Sequence, residues 1–152
     1  MYSLKILRTN SENKDFQKLN PILDAELKIR DGDDHDFYHQ FNHIDSIKNV
    51  VVFYLNETAI ACGAIKEFNP NTMEIKRMFT IESERNKGIA SKILKELESW
   101  SQELGFTRCI LETGFNQPEA IYLYKKNNYK IIENYGQYKG VSTSICFEKI
   151  LI

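Results

Sequence analysis

Glu82–Ala90 reads ESERNKGIA and joins a strand-like run ending at Ile81 to the most regular amphipathic pattern in the chain. Ile89, Ile93, Leu94, Leu97, Trp100 and Leu104 follow at helical spacing, from a helix start near Lys87, until Gly105 stops them. A strand that turns through a short loop into a helix presents the unpaired N–H groups of the first helical turn. The helix dipole adds partial positive charge at the same place. Gly88 removes a side chain where a ligand must approach backbone, and Ala90 keeps the first turn slim. Arg85, Lys87 and Lys92 add full charges. Basic residues at a helix N-terminus oppose the dipole by about 0.3–1 kcal/mol each, and a bound anion removes that conflict. The segment is therefore expected to hold phosphate, and pyrophosphate above all, rather than to be an ordinary helix start with a solvated basic turn. Neither GxxxxGK[ST] nor GxGxxG occurs in it, which excludes a Walker loop and a dinucleotide fingerprint.

Outward from this loop, alternation and turn signals order the rest of the chain. Leu4–Arg8 reads as a strand, and Ser11 or Asn13 caps a helix that turns Phe16, Leu19, Leu23 and Leu27 inward. Pro21 is expected to kink or split that helix. Arg30–Asp36 reads as an acidic loop, and a second helix is expected over Asp34–Ile47. Strands are expected at Asn49–Leu55, Ala59–Phe68 and Thr72–Ile81, with turns at Asn56-Glu57 and Asn69-Pro70-Asn71. After the long helix come a strand at Arg108–Glu112, a helix at Pro118–Asn127, and strands at Tyr129–Glu133 and Ser142–Leu151. The order β-α-α-β-β-β-α-β-α-β-β implies a mixed α/β (α+β) sheet with helices on both faces, not a doubly wound one.

Composition narrows the classes. The chain has 152 residues, 42% of them hydrophobic and 27% charged, with a formal net charge of −1. One domain over residues 1–152 with a packed core is expected. Near-neutrality argues against a general nucleic-acid binder. Cys62, Cys109 and Cys146 lie far apart without CxxC spacing, each in an apolar run, and read as buried thiols. No apolar stretch has the length of a membrane span or a leader, so a cytoplasmic setting is expected.

Arg85-x-x-Gly88-x-Ala90 between a strand and a long helix resembles the acyl-CoA motif of the GNAT superfamily of N-acetyltransferases. Gln117-Pro-Glu-Ala-Ile-Tyr-Leu-Tyr124, followed by Asn128-Tyr129, resembles that family's second signature, and EIKRMFT its central strand. Gln117 stands where Asn is usual and Asn128 where Gly is usual; Asn tolerates left-handed geometry.

The resemblance implies about seven strands, mostly antiparallel, with one splayed parallel pair, and acetyl-CoA as acyl donor. It puts the pyrophosphate on Arg85, Asn86, Lys87, Gly88, Ile89 and Ala90, and the pantetheine arm along Met78, Phe79 and Thr80, with Gln117 and Tyr124 also touching the cofactor. It makes the Met78 N–H the oxyanion donor and Tyr124 the general acid. Glu74, at the offset of a glutamate base in some relatives, reads as the base, or as a residue on the polar face of an alternating strand. The reaction implied is direct acetyl transfer to a primary amine of a small molecule or peptide. The alternative is a non-catalytic acyl-CoA-binding or sensor module, against which Tyr124 argues, because binding alone needs no acid. A homodimer is common among relatives.

His35, His39 and His43 recur at i, i+4, i+8, opposite the Phe37/Phe41/Ile44 core face. A solvated face is the expectation and a metal site is not, because ligands on three successive turns of one helix rarely converge. In the family this region covers the acceptor site. The resemblance therefore places Tyr38 and Asn42 at the acceptor pocket, with Tyr135 and Tyr138 closing it, and an acidic cluster at Asp31–Asp36 to attract a cation.

Overall fold

In the computed structural model, residues 3–32 and 47–152 are described. The strands are β1 (Leu4–Thr9), β2 (Asn49–Leu55), β3 (Thr58–Asn69), β4 (Thr72–Thr80), β5 (Arg108–Gly114), β6 (Lys130–Ile132) and β7 (Ser144–Ile150). The helices are α1 (Lys14–Asp31), α2 (Ile89–Glu103) and α3 (Pro118–Lys126). The strands form one sheet in the order β1-β2-β3-β4-β5-β7-β6. Every pair is antiparallel except β4–β5. This is the mixed sheet the sequence implied. The helix expected at Asp34–Ile47 lies outside the described residues.

Alternation divides the core between the two faces of the sheet. Val51 and Phe53 of β2 pack with Ile89, Ile93, Leu94 and Leu97 of α2. Their neighbours Val50 and Val52 pack with Phe16, Leu19 and Leu23 of α1. A strand with both faces covered reads as a continuous apolar run, which is why NVVVFYL has no polar phase. Cys62, Cys109 and Cys146 are all buried free thiols, and burial pushes Cys62 up to about 12.

Pro21 does not split its helix, one of the two outcomes expected of it: α1 is one element from Lys14 to Asp31. Asn13 is the cap, its side chain accepting from the Phe16 N–H at 2.9 Å. Phe16, Leu19 and Leu23 are buried on both sides of the proline. Burying three such side chains offsets the roughly 3 kcal/mol that a mid-helix proline costs. Leu104 departs from expectation. It terminates α2 and is 48% exposed instead of joining the core stripe.

β4 carries one irregularity that matters for the site. Its pairing with β3 steps from Ala64↔Lys76 to Cys62↔Phe79 and leaves Arg77 and Met78 opposite the single residue Gly63. Arg77 takes the extra residue of this bulge at φ +57°. Its guanidinium is buried on the α1 side, donating from Nε to Asn20 Oδ1 at 2.7 Å and from NH2 to Asp24 at 2.8 Å. A Cβ on Gly63 would stand 2.6 Å from Met78 Sδ and 2.8 Å from Ile93 Cγ2. Only glycine lets Met78 and α2 close over the bulge.

Candidate active site

The parallel pair is hydrogen-bonded only from Thr72↔Arg108 to Glu74↔Ile110. Beyond it β4 stays with β3, and β5 stays with β7 as far as Gly114↔Ser144. The two strands diverge, and a cavity of about 130 Å³ opens between them. Alternation gives the cavity two walls. Met73 and Ile75 of β4 and Cys109 and Leu111 of β5 belong to the core under α2 and α3. Glu74, Lys76 and Glu112 therefore point to the α1 face. The α3 wall carries Ile75, Thr113, Ala120 and Tyr124; the α1 wall carries Asp31, Glu74, Lys76, Glu112 and Tyr138.

Tyr124 is 6% exposed and rests against Tyr129, at 5.9 Å between ring centroids, and Phe147, at 5.8 Å. Its hydroxyl has no hydrogen-bond partner among the described residues. Burial, with the Glu112 carboxyl nearby, holds the phenol well above its ordinary value. The helix that carries it ends in a tight turn, the Tyr129 N–H donating to Tyr124 O at 3.0 Å with Asn128 at φ +71°. Asn128 thus occupies the left-handed position expected of it. Gln117 stands at the N-cap position of α3, its side chain making no capping hydrogen bond, and lines the cavity.

Past Thr80 the chain makes one 3₁₀ turn at Glu82–Glu84 and enters the loop before α2. Asn86 and Gly88 have φ of +65° and +79°, and Gly88 is the N-cap, so α2 starts at Ile89 rather than near Lys87. The N–H groups of residues 86–91 find no acceptor among the described residues, while Lys92 N–H closes the first helical bond to Gly88 O at 3.2 Å. A Cβ on Gly88 would meet nothing within 4 Å, so glycine is required there by conformation, not by crowding.

Side chains of the loop behave differently from its backbone. Arg85 Nε donates to Thr80 O at 2.9 Å and its NH2 to Glu26 at 2.7 Å, with the guanidinium over the Phe79 ring. Its charge is thus spent on tying the end of β4 to α1. Lys87 pairs with Glu84 at 3.0 Å.

Glu74 lies at the closed end of the cavity, where its Oε2 accepts from Tyr135 OH at 2.7 Å and its Oε1 lies 3.7 Å from Lys76 Nζ. Tyr135 packs edge-on against Phe68 and Tyr138. The loop before β7 is thereby fastened across the back of the cleft to the β3–β4 hairpin. Of the residues expected at the acceptor pocket, Tyr138 reaches the cavity, and Tyr135 stands behind Glu74. Tyr38 and Asn42, like His35, His39 and His43, lie outside the described residues.

Glu112 escaped the sequence reading. Ser144 OH donates to its Oε2 at 2.6 Å, and burial pushes its carboxyl up to about 7. The available signal was a lone carboxylate near the end of an otherwise apolar strand, RCILET.

A sheet that splays at its one parallel pair, beside a loop of open N–H groups, is the architecture of an acyltransferase. The family model described as the acetyltransferase (GNAT) family matches residues 14–129, and the chain belongs to that family. The chain is 26% identical to an IAA acetyltransferase of Azospirillum brasilense, over 91% of this chain and 99% of that one. Among solved structures it resembles an acyl-CoA N-acyltransferase from Klebsiella pneumoniae, with a TM-score of 0.79 and 25% identity over 100% of this chain and 99% of that one. A GNAT acetyltransferase of Elizabethkingia anophelis with acetyl-CoA bound shares the fold, with a TM-score of 0.71 at 19% identity, covering 97% and 98% of the two chains.

Proposed function

We propose that this chain, as one domain over residues 1–152, transfers an acetyl group from acetyl-CoA to a primary amine by direct attack in a ternary complex. The observation that carries the reading is the cavity between the diverging strands, to which Tyr124 brings a hydroxyl with no partner among the described residues. The loop of open N–H groups at residues 86–91 follows in the chain from the end of β4, the strand on one side of that gap. The donor's pyrophosphate rests on those N–H groups, and the field of α2 favours its charge. Arg85 and Lys87 are already paired, which leaves Lys92 as the basic side chain of the first turn with no ion pair among the described residues. The pantetheine arm runs along Met78, Phe79 and Thr80 and past Gln117. The bulge at Arg77 turns the backbone at Met78, whose N–H polarises the thioester carbonyl. Tyr124, an acid that keeps its proton at neutral pH, gives it to the departing sulfur.

Calorimetric titration with acetyl-CoA, with CoA and ATP as controls, tests the first half. Saturable binding of acetyl-CoA and CoA but not ATP is expected, and no binding at millimolar acetyl-CoA overturns the reading. Release of free thiol with a series of primary amines tests the second half. Binding without turnover of any amine would make the chain an acyl-CoA sensor.

A further inference from the structure

The two walls of the cleft carry opposite chemistry. The α3 side carries no charged group to the cavity: its polar side chains are Thr113, Gln117 and Tyr124, whose hydroxyl is without a partner among the described residues. The α1 wall brings three carboxylates, Asp31, Glu74 and Glu112, with the Lys76 ammonium and the Arg77 guanidinium, the latter donating to Asn20 and Asp24 of α1. A thioester lying in the gap between β4 and β5 has the phenol on one side and the carboxylates on the other. We propose that the acceptor amine enters as a cation from the α1 face and that Glu112, not Glu74, takes its proton. This rests on the acetyl-transfer reading above.

Geometry separates the two glutamates. Glu74 sits on the last hydrogen-bonded step of the parallel pair, and Tyr135 and Lys76 face its two oxygens. It holds the loop before β7 and acts as a positioning residue. Glu112 lies two residues beyond the last paired residue of β5, where the strands have parted. Its Oε2 accepts from Ser144, and its Oε1 has no donor among the described residues. The charged and titratable groups around it are Asp31 of α1, Glu74 and Lys76 of β4, Tyr124 of α3, Tyr138 before β7, and Cys146, its cross-strand partner on β7. Burial and the neighbouring carboxylates raise its proton affinity to about 7, the range in which a carboxylate accepts a proton and returns it to water. The apolar remainder of the wall, Leu23 and Leu27 with the Tyr138 ring, suits an amine carried on an apolar or aromatic group.

The step balances as follows. The ammonium passes one proton to Glu112, and the neutral amine forms a C–N bond to the thioester carbonyl carbon. The C–S bond breaks and the sulfur takes the Tyr124 proton. The nitrogen loses its second proton as the amide forms, restoring the phenol. Amide and CoA thiol leave, and Glu112 releases its proton to solvent.

Two nucleophiles test this. Benzylamine arrives protonated at pH 7 and needs a base, whereas hydroxylamine is neutral and does not. In Glu112→Gln the benzylamine kcat should fall about 100-fold or more, with the hydroxylamine rate changed less than about fivefold and acetyl-CoA affinity unchanged. Glu112→Asp, which keeps a carboxylate, should recover part of the benzylamine rate. The wild-type benzylamine profile should rise through a pKa near 7 that Glu112→Gln lacks. Equal rates in wild type and variant, an equal fall for both nucleophiles, or loss of the pH step in Glu74→Gln instead overturns the proposal and leaves acetyl transfer standing. Failure of the wild type to bind acetyl-CoA, or to use either nucleophile, overturns both.

Discussion

The loop before α2 and the cavity between β4 and β5 are built by different means. The loop, the proposed donor site, is backbone: N–H groups of one contiguous segment, set by Gly88 at φ +79° and by the start of α2. The cavity wall, the proposed acceptor site, is side chain: Asp31, Glu74, Lys76, Glu112 and Tyr138 come from four places in the chain and meet only in the folded sheet. A backbone site tolerates almost any side chain and therefore holds one ligand across a family. A side-chain site changes with each substitution, so acceptor choice is free to diverge while donor binding stays.

The largest expected effect falls in the cavity. Tyr124→Phe removes only a hydroxyl, which has no partner among the described residues to leave stranded. Turnover should drop about 100-fold or more, with acetyl-CoA affinity within about twofold, as paired calorimetry and thiol-release assays would show. A matched loss of affinity would make Tyr124 part of the donor site instead. Gly63→Ala comes next, and it attacks the frame shared by both. Its Cβ would overlap Met78 Sδ and Ile93 Cγ2, both within 2.8 Å, inside a closed core. A loss of about 1–3 kcal/mol in urea unfolding is expected, together with slower turnover as Met78 shifts. Unchanged stability would mean that the bulge yields easily.

The same contrast explains what the sequence disclosed. The geometry of the loop before α2 was legible because strand, loop, Gly88 and helix are consecutive in ESERNKGIA, and consecutive residues state their own geometry. Arg85 was legible only as a charge. Its partner Glu26 lies 59 residues away, and nothing local reveals that the guanidinium is already taken. Glu112 stayed hidden for a related reason. One carboxylate on an apolar strand is a common surface feature, and only the divergence of β4 from β5 turns it into a cleft residue. Pro21 does not divide α1 because tertiary burial on both sides of it outweighs the local penalty that the sequence displays. Gly88→Val probes how far the backbone account of the proposed donor site extends. The left-handed φ is forbidding for a β-branched residue, so acetyl-CoA affinity should fall about tenfold, with about 1–2 kcal/mol lost in stability. Loss of stability at full affinity would move the phosphate off this loop.

The smallest effect concerns the proposed acceptor site without any ligand. Folding raises the Glu112 carboxyl from its ordinary 4.5 to about 7, chiefly by burial. The folded state therefore binds this proton more tightly than the unfolded chain does. Its contribution to stability is complete below about pH 4.5 and is lost as pH rises through 7. Glu112→Gln removes the titration and keeps an acceptor for Ser144. Relative to wild type, the variant should gain about 1–2 kcal/mol between pH 4.5 and pH 8, short of the roughly 3 kcal/mol of a fully buried group, because the side chain is partly exposed. Chemical unfolding of both proteins across that window measures it. A flat difference would show that Glu112 is solvated before any donor arrives, and its role as base would then depend on acetyl-CoA closing the cleft around it.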